Sequence, residues 1–79
     1  MPQRILIVRL SSIGDVIQST PVARQLRRRY PDCHLAWVVE TKSVAGVLHN
    51  PHLDEVIVLD RRRPGSWREV IRRIRHRFD

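Results

Sequence analysis

The chain has 79 residues, a hydrophobic content of 42%, a single cysteine and a net charge of +7. A chain of this length forms one small domain at most, and its hydrophobic content is that of a globular rather than a disordered protein. A lone cysteine excludes an internal disulfide, and no apolar run approaches the ~20 residues that a membrane-spanning helix needs.

The positive charge is concentrated in the last quarter of the chain. Residues 1–60 carry seven basic and six acidic side chains, whereas residues 61–79 carry eight arginines and two acids. A basic segment of this kind attracts anions. We therefore expect an anionic partner there, which could be phosphates, carboxylated sugars, an acidic membrane surface or nucleic acid.

The first predicted element is a strand that leads through a polar turn into a helix. Ile5–Val8 is wholly apolar and largely β-branched, which predicts a strand covered on both faces. Ser11, Ser12 and Gly14 end this strand, and the glycine would let the backbone pass close to a neighbour or a ligand. Asp15 falls in the first helical turn, where it is either a carboxylate that complements the helix dipole or a general base facing a cleft.

The helix after this turn is predicted to end at Pro31. Pro21 should kink it or start a second segment capped by Thr20. The arginines at positions 24 and 27–29 are expected to point mostly outward. The apolar face of this helix has a helical spacing and consists of Ile13, Val16, Ile17, Ala23, Leu26 and Tyr30.

Two further apolar strands follow, Leu35–Val39 and Val56–Leu59, and a short helix capped by Thr41 lies between them. A basic loop then leads into a last helix, where Ser66 and Glu69 match a capping box. The arginine-rich face of this helix is expected to be solvated. Its apolar stripe is predicted to consist of Trp67, Val70, Ile71, Ile74 and Phe78.

This alternation, β-α-β-α-β-α, predicts an α/β fold with a Rossmann-like parallel sheet and right-handed crossovers. The strand order of such a sheet is 3-2-1-4, so the first strand is an edge until a fourth strand joins it. Three strands make a poor final sheet, and we therefore expect residues 1–79 to be a fragment or the start of a larger protein. The apolar edge Arg4–Leu10 would then invite pairing with another copy of the chain.

Two familiar kinds of cofactor site fit the sequence poorly. A dinucleotide-binding turn needs three glycines, and this turn has only Gly14, although Glu40 stands where a ribose-binding acid would be. Pro51 separates His49 from His52, and no further ligand has a suitable spacing for a metal. We therefore expect neither a cofactor nor a metal ion.

The segment Ile5–Val16, followed by Thr20 and Pro21, resembles the opening of the bacterial lipopolysaccharide heptosyltransferases of glycosyltransferase family 9. The serine pair before Gly14 is most similar to heptosyltransferase I. The resemblance extends over essentially the whole chain. Its further landmarks, in the family's order, are Arg28–Pro31, Trp37–Glu40, Asn50–Pro51 and Asp54–Ile57.

The resemblance implies a two-domain enzyme of the GT-B fold that transfers heptose from ADP-heptose to Kdo–lipid A, with inversion and without a metal. Its N-terminal domain takes the acceptor, and its C-terminal domain binds the donor. The family's catalytic aspartate matches Asp15, which would deprotonate the acceptor hydroxyl. The acceptor-binding positions implied by the resemblance are Arg9, Ser11, Ser12, Gly14, Arg61, Arg62 and Arg63.

The same resemblance sets expectations for the whole chain. Residues 1–79 would form a single, partial acceptor-side domain that lacks the fourth strand and the donor domain and is inactive alone. The enzyme would be cytoplasmic and peripheral at the inner membrane, where its lipid-linked anionic acceptor is embedded, and it would bind no nucleic acid. Two alternatives stay open: a small basic nucleic-acid-binding module and a nucleotide-dependent oxidoreductase.

Overall fold

The protein is described here by a computed structural model that covers residues 4–75, 77 and 78. Strands and helices alternate along the chain, and the three strands form one parallel sheet in the order β1-β2-β3. The predicted α/β class and the predicted strand order are therefore confirmed. The elements are β1 (Arg4–Val8), α1 (Ile13–Arg29), β2 (His34–Glu40), a 3₁₀ helix (Thr41–Gly46), β3 (Glu55–Leu59) and α2 (Ser66–Ile74).

The core lies on both faces of the central strand, β2, which is buried from Leu35 to Glu40. On one face, Trp37 packs with Val16 and Ala23 of α1. On the other face, Val38 packs with Val70 of α2. Because successive side chains of a strand point to opposite faces of the sheet, the residues of β2 pack alternately on the α1 side and on the α2 side.

The prediction that β1 is covered on both faces is confirmed only in part: Ile5 and Ile7 pack against the core on the α1 side, and Leu6 packs against the core on the α2 side. Ile5, Leu6 and Ile7 are only half-buried, and Val8 is 61% exposed. β1 lies at an edge of the sheet, and α2 packs against β3 rather than across β1. The edge position of β1 was predicted correctly, and its pairing with a second copy of the chain stays a prediction.

Helix α1 passes through Pro21 without a break, so no second segment begins at Thr20. Proline has no backbone N–H, which leaves the carbonyl four residues earlier without its usual donor. The hydroxyl of Thr20 donates to that carbonyl, at Ile17, over 2.7 Å. The helix can therefore accept the proline at little cost in hydrogen bonding.

The segment after β2 is tighter than predicted. It is a 3₁₀ helix that ends at Gly46, and Val47 follows it as a buried residue rather than as a helical one. A Cβ atom at Gly46 would lie 3.0 Å from Val16 Cγ1. The absence of a side chain at this glycine is therefore what allows the 3₁₀ helix to approach α1 so closely.

Arg27 points inward, contrary to the outward direction predicted for it. Its guanidinium donates to the carbonyls of Pro31, Cys33 and His52 over 2.8–3.2 Å and to Asp54 Oδ2 over 2.6 Å. Burial raises the pKa of the Asp54 carboxyl, but a hydrogen bond from the backbone of residue 35 and the contact with Arg27 outweigh it, so that the pKa is lowered. Arg27 thus joins the end of α1 to two loops.

We expect Arg27→Ala to lower the free energy of unfolding by about 2–3 kcal/mol, because it removes several charge-assisted hydrogen bonds and leaves carbonyls without donors. Urea denaturation followed by circular dichroism measures this change. Arg28→Ala is the matched control, since Arg28 is exposed, and it should change stability by less than about 0.5 kcal/mol. Equal effects of the two substitutions would contradict the role given to Arg27.

Helix α2 begins differently from the predicted capping box. Gly65, at φ +88°, is the N-cap, and Ser66 is the first helical residue. The Ser66 hydroxyl accepts the N–H of Asp60 over 2.9 Å, and Glu69 pairs with Arg63. The predicted apolar stripe also divides: Val70 and Ile74 pack on the sheet, Phe78 is half-buried, and Trp67 and Ile71 are exposed.

The arginine-rich face of the last helix is not simply solvated. Glu55 at the start of β3 accepts hydrogen bonds from Arg73 over 2.8 Å and from Arg77 over 3.0 Å. His34 Nε2 lies 2.9 Å from the same carboxylate. Two arginines of the basic last segment are therefore paired with an internal acid and not with an external polyanion.

None of the helices in the described part of the chain has the length and apolar character that a membrane-spanning helix requires.

The Glu55 cluster should make stability depend on acid pH. Burial raises the pKa of Glu55, but hydrogen bonds from His34 and Arg77, with the contact to Arg73, lower it from 4.5 to about 2. The unfolded chain therefore takes up this proton at higher pH than the folded chain does. The stabilisation is present above about pH 4.5 and is lost as the pH falls towards 2.

We expect the free energy of unfolding to fall more steeply across this acid range in the unsubstituted chain than in Glu55→Gln. Denaturant titrations at several pH values measure both curves. Asp54 is unchanged in the variant and keeps its own, separate contribution. Parallel curves for the two proteins would show that the Glu55 carboxylate does not stabilise the fold.

Candidate functional site

The parallel sheet brings two polar segments to the same edge. The turn after β1 and the loop after β3 both follow the carboxyl ends of their strands. β2 lies between these strands, so the two segments are separated by two strand spacings, or about 10 Å. Asp15 and the arginine loop, which the sequence placed on one side of the sheet, therefore do share that edge.

Asp15 is the third residue of α1, and its side chain is 52% exposed. Its Oδ1 atom lies 4.0 Å from Arg9 Nη2, and its Oδ2 atom accepts a long hydrogen bond of 3.4 Å from Ser12 Oγ. In the described part of the chain it accepts no backbone N–H. The carboxylate is therefore loosely held and open to an incoming hydroxyl, while its place in the first turn still suits the helix dipole.

The turn itself is supported from the core by the central strand. Trp37, fully buried in β2, donates its indole N–H to the carbonyl of Arg9 over 3.1 Å, and the N–H of Glu40 donates to Leu10 over 3.0 Å. The sequence identifies Trp37 only as a strand residue and a family landmark. A buried tryptophan needs a partner for its N–H, and that requirement was the available signal.

Gly14 has open space where its side chain would be. A Cβ atom at this position would meet nothing within 4 Å, and its φ is not positive. The interpretation that Gly14 makes room for another part of the protein is wrong for the described residues. The interpretation that it makes room for a ligand stays a prediction.

The Gly14→Ala substitution should have opposite effects on stability and on acceptor binding. Within a helix, alanine is favoured over glycine by about 0.5–1 kcal/mol, so we expect the variant to be slightly more stable. If the backbone approaches an acceptor here, binding of that acceptor should weaken in the same variant. Thermal unfolding and a binding titration measure the two effects, and a more stable variant with unchanged binding would remove Gly14 from the acceptor site.

The loop after β3 is an ordered turn. Asp60 Oδ1 accepts the N–H of Arg62 over 3.0 Å, and the carbonyl of Asp60 accepts the N–H of Arg63 over 3.1 Å. Ser66 holds the Asp60 N–H, and Gly65 takes the left-handed conformation that reverses the chain. The loop therefore presents its arginines from a fixed backbone.

The three loop arginines are not equivalent. Arg61 pairs through Nε with the buried carboxylate of Glu40, and Arg63 pairs with Glu69. Arg62 makes no ion pair with any residue that the structure describes. Arg61 and Arg62 line a cavity of about 420 Å³ at the ends of β2 and β3, and Arg63 does not. The full lining is Glu40, Thr41, Lys42, Leu59, Asp60, Arg61 and Arg62.

The remaining candidate residues are less engaged. Ser11 is half-buried in the turn, and no hydrogen bond of its side chain is seen within the described ranges. His49 and His52 line a separate cavity of about 450 Å³ beside Pro21. Over residues 4–75, 77 and 78, no group of three or more histidine, cysteine, aspartate or glutamate side chains is placed to hold a metal ion.

Comparison with known proteins points to one family. No family model matches the chain. Lipopolysaccharide heptosyltransferase 1 of Campylobacter coli is 32% identical over 56 residues, which cover 71% of this chain and 16% of that protein. The crystal structure of a family 9 glycosyl transferase from Veillonella parvula DSM 2008 matches with a TM-score of 0.81 and 34% identity, over 91% of this chain and 22% of that one.

Both matches are to proteins of the kind that the landmarks in the sequence indicate. The resemblance to glycosyltransferase family 9, and to its heptosyltransferases, is therefore confirmed. The chain spans 16% of the curated relative's length and 22% of the solved chain.

Proposed function

Since the chain resembles glycosyltransferase family 9 and its heptosyltransferases, we propose that it is the acceptor-side part of an enzyme that transfers heptose from ADP-heptose to Kdo–lipid A. One observation carries the proposal. An exposed carboxylate, Asp15, and two cavity-lining arginines, Arg61 and Arg62, lie at the same carboxyl edge of a parallel sheet. Ligands of open α/β folds bind at that edge.

The chemical role of Asp15 is that of a general base. The acceptor hydroxyl oxygen forms a bond to the anomeric carbon of the heptose, and the bond from that carbon to the phosphate oxygen of ADP breaks. The proton of the hydroxyl passes to Asp15. Attack from the side opposite ADP inverts the anomeric centre, and no step requires a metal or a cofactor.

The role of the arginine loop is to bind the anionic part of the acceptor. Guanidinium groups form paired, charge-assisted hydrogen bonds with carboxylates and phosphates, and both groups occur on Kdo–lipid A. Arg62 has no competing ion pair among the described residues, and it lines the cavity. We therefore assign it the largest share of acceptor binding in the loop.

The donor site lies on a second, C-terminal domain of the GT-B enzyme in this proposal, and the lipid-linked acceptor places the enzyme at the cytoplasmic face of the inner membrane. Two observations argue against the alternatives. Glu40 is buried and paired with Arg61 rather than open to a ribose, which disfavours an oxidoreductase. Glu55 engages Arg73 and Arg77, which disfavours a nucleic-acid-binding last helix.

Binding to the chain itself tests this assignment. Nanodiscs containing Kdo–lipid A should bind the chain more tightly than phosphatidylglycerol nanodiscs of equal charge, because the cavity recognises arranged anions rather than charge alone. ADP-heptose should not bind. Equal binding to both kinds of nanodisc would reduce the arginine loop to a general electrostatic surface, and tight ADP-heptose binding would move the donor site onto this domain.

A further inference from the structure

Glu40 is a buried acid to which the proposed transfer reaction gives no role. Its residue exposure is 2%, and neither carboxylate oxygen accepts a hydrogen bond from the described residues. Its only described partners are cations: Arg61 Nε at Oε1, and Lys42 Nζ at 3.7 Å from Oε2. Burial of a carboxylate that accepts no hydrogen bond lowers the stability of the fold. The presence of this carboxylate beside Arg61 therefore needs an explanation.

The backbone holds Glu40 in place. It is the last residue of the central strand, and its N–H donates to Leu10 over 3.0 Å. Glu40 is among the residues that line the cavity at the ends of β2 and β3. Glu40 is therefore held in a fixed position. The side chain of Arg61, in contrast, lies on a loop and is 57% exposed.

The form of the contact decides what remains available on Arg61. Glu40 Oε1 contacts Nε as an ion pair without a hydrogen bond, and no described residue hydrogen-bonds to the two terminal nitrogens of Arg61. Those nitrogens can still form a fork with a phosphate or carboxylate in the cavity, next to Arg62. A guanidinium that is already held in place loses less conformational freedom when an anion binds.

We infer that Glu40 is a positioning residue, which holds Arg61 by Nε so that its terminal nitrogens and Arg62 together bind an anionic group. The identity of that group as part of the acceptor rests on the proposed function, but the positioning role does not. The competing effect is repulsion, because Glu40 is itself an anion beside the cavity. The two effects predict opposite results when the charge of Glu40 is removed.

The experiment is a titration of the chain with glucose 1-phosphate, with neutral glucose as the reference, followed by NMR of the arginine Nε–H groups. Glu40→Gln keeps the size of the side chain and should weaken glucose 1-phosphate binding about 3- to 10-fold. Glu69→Gln removes the other arginine-paired acid of the region, outside the cavity, and should leave the affinity within about 1.5-fold of the unsubstituted chain, since Arg63 does not line the cavity.

A double substitution distinguishes positioning from a general structural role. In an Arg61→Ala background, Glu40→Gln should cause no further loss of glucose 1-phosphate binding, because the residue through which it acts is absent. Equal or tighter binding by Glu40→Gln alone would show that repulsion dominates, and additive losses would show that Glu40 acts independently of Arg61. Either result overturns the inference. Failure of the proposed function would appear separately, as sugar phosphate binding that depends on Glu40 without selective binding of Kdo–lipid A.

Discussion

Asp15→Asn should lower turnover by about 10²–10⁴-fold, which is the usual contribution of a general base. The setting is a grafted enzyme, in which this chain replaces the matched segment of the Campylobacter coli relative. Asparagine keeps the size of the side chain but cannot accept the hydroxyl proton at neutral pH. Initial rates at saturating donor and acceptor measure the loss.

The acceptor KM should change little in this variant, because Asp15 is loosely held and lies apart from the loop arginines that bind the acceptor's anionic groups. Asp32→Asn is the matched control: Asp32 is also exposed, but it precedes β2 and so lies at the opposite edge of the sheet. Its turnover should be that of the unsubstituted graft. If Asp15→Asn retained full turnover, only the helix-dipole role of Asp15 would remain.

Replacement of Arg61, Arg62 and Arg63 together by alanine should raise the acceptor KM by about 10²-fold or more, with little change in the donor KM. Each charge-assisted hydrogen bond contributes about 1.5–3 kcal/mol, and the acceptor loses at least two guanidinium partners. Arg68→Ala with Arg72→Ala is the control, because both arginines are exposed on α2 outside the cavity.

The three single substitutions add a test that the sequence alone could not supply. Arg62→Ala should have the largest effect on the acceptor KM, and Arg63→Ala the smallest, because Arg63 pairs with Glu69 and does not line the cavity. Equal effects of all three would contradict this ranking. A triple variant with an unchanged acceptor KM would show that the loop is a solvated run of charges.

Much of the fold was predictable because strands and helices were marked by apolar runs of distinct period. The failures arose where a residue outside the element competed with a local pattern. Ser66 and Glu69 have the spacing of a capping box, but the Ser66 hydroxyl accepts the Asp60 N–H and Glu69 engages Arg63. The predicted burial of β1 is incomplete for another reason. The pattern of a strand indicates which side chains favour burial, but not whether a neighbouring element is present to cover them.

The site was predictable to a similar extent. Parallel strand ends had to share one edge, so the shared location of Asp15 and the arginine loop followed from the order of the elements. The different roles of the three loop arginines could not be predicted, because their acidic partners come from different elements. Glu40 closes β2 and Glu69 lies in α2, and neither spacing from its arginine has a local signature.

Transfer of heptose by the grafted enzyme tests the central claim most directly. The claim is that this chain supplies a working acceptor side, with Asp15 as base. The graft should form the heptosylated product from ADP-heptose and Kdo–lipid A, and the Asp15→Asn graft should lose that activity while it binds both substrates. A graft that unfolds as cooperatively as the parent enzyme and binds ADP-heptose, yet forms no product, would contradict the claim.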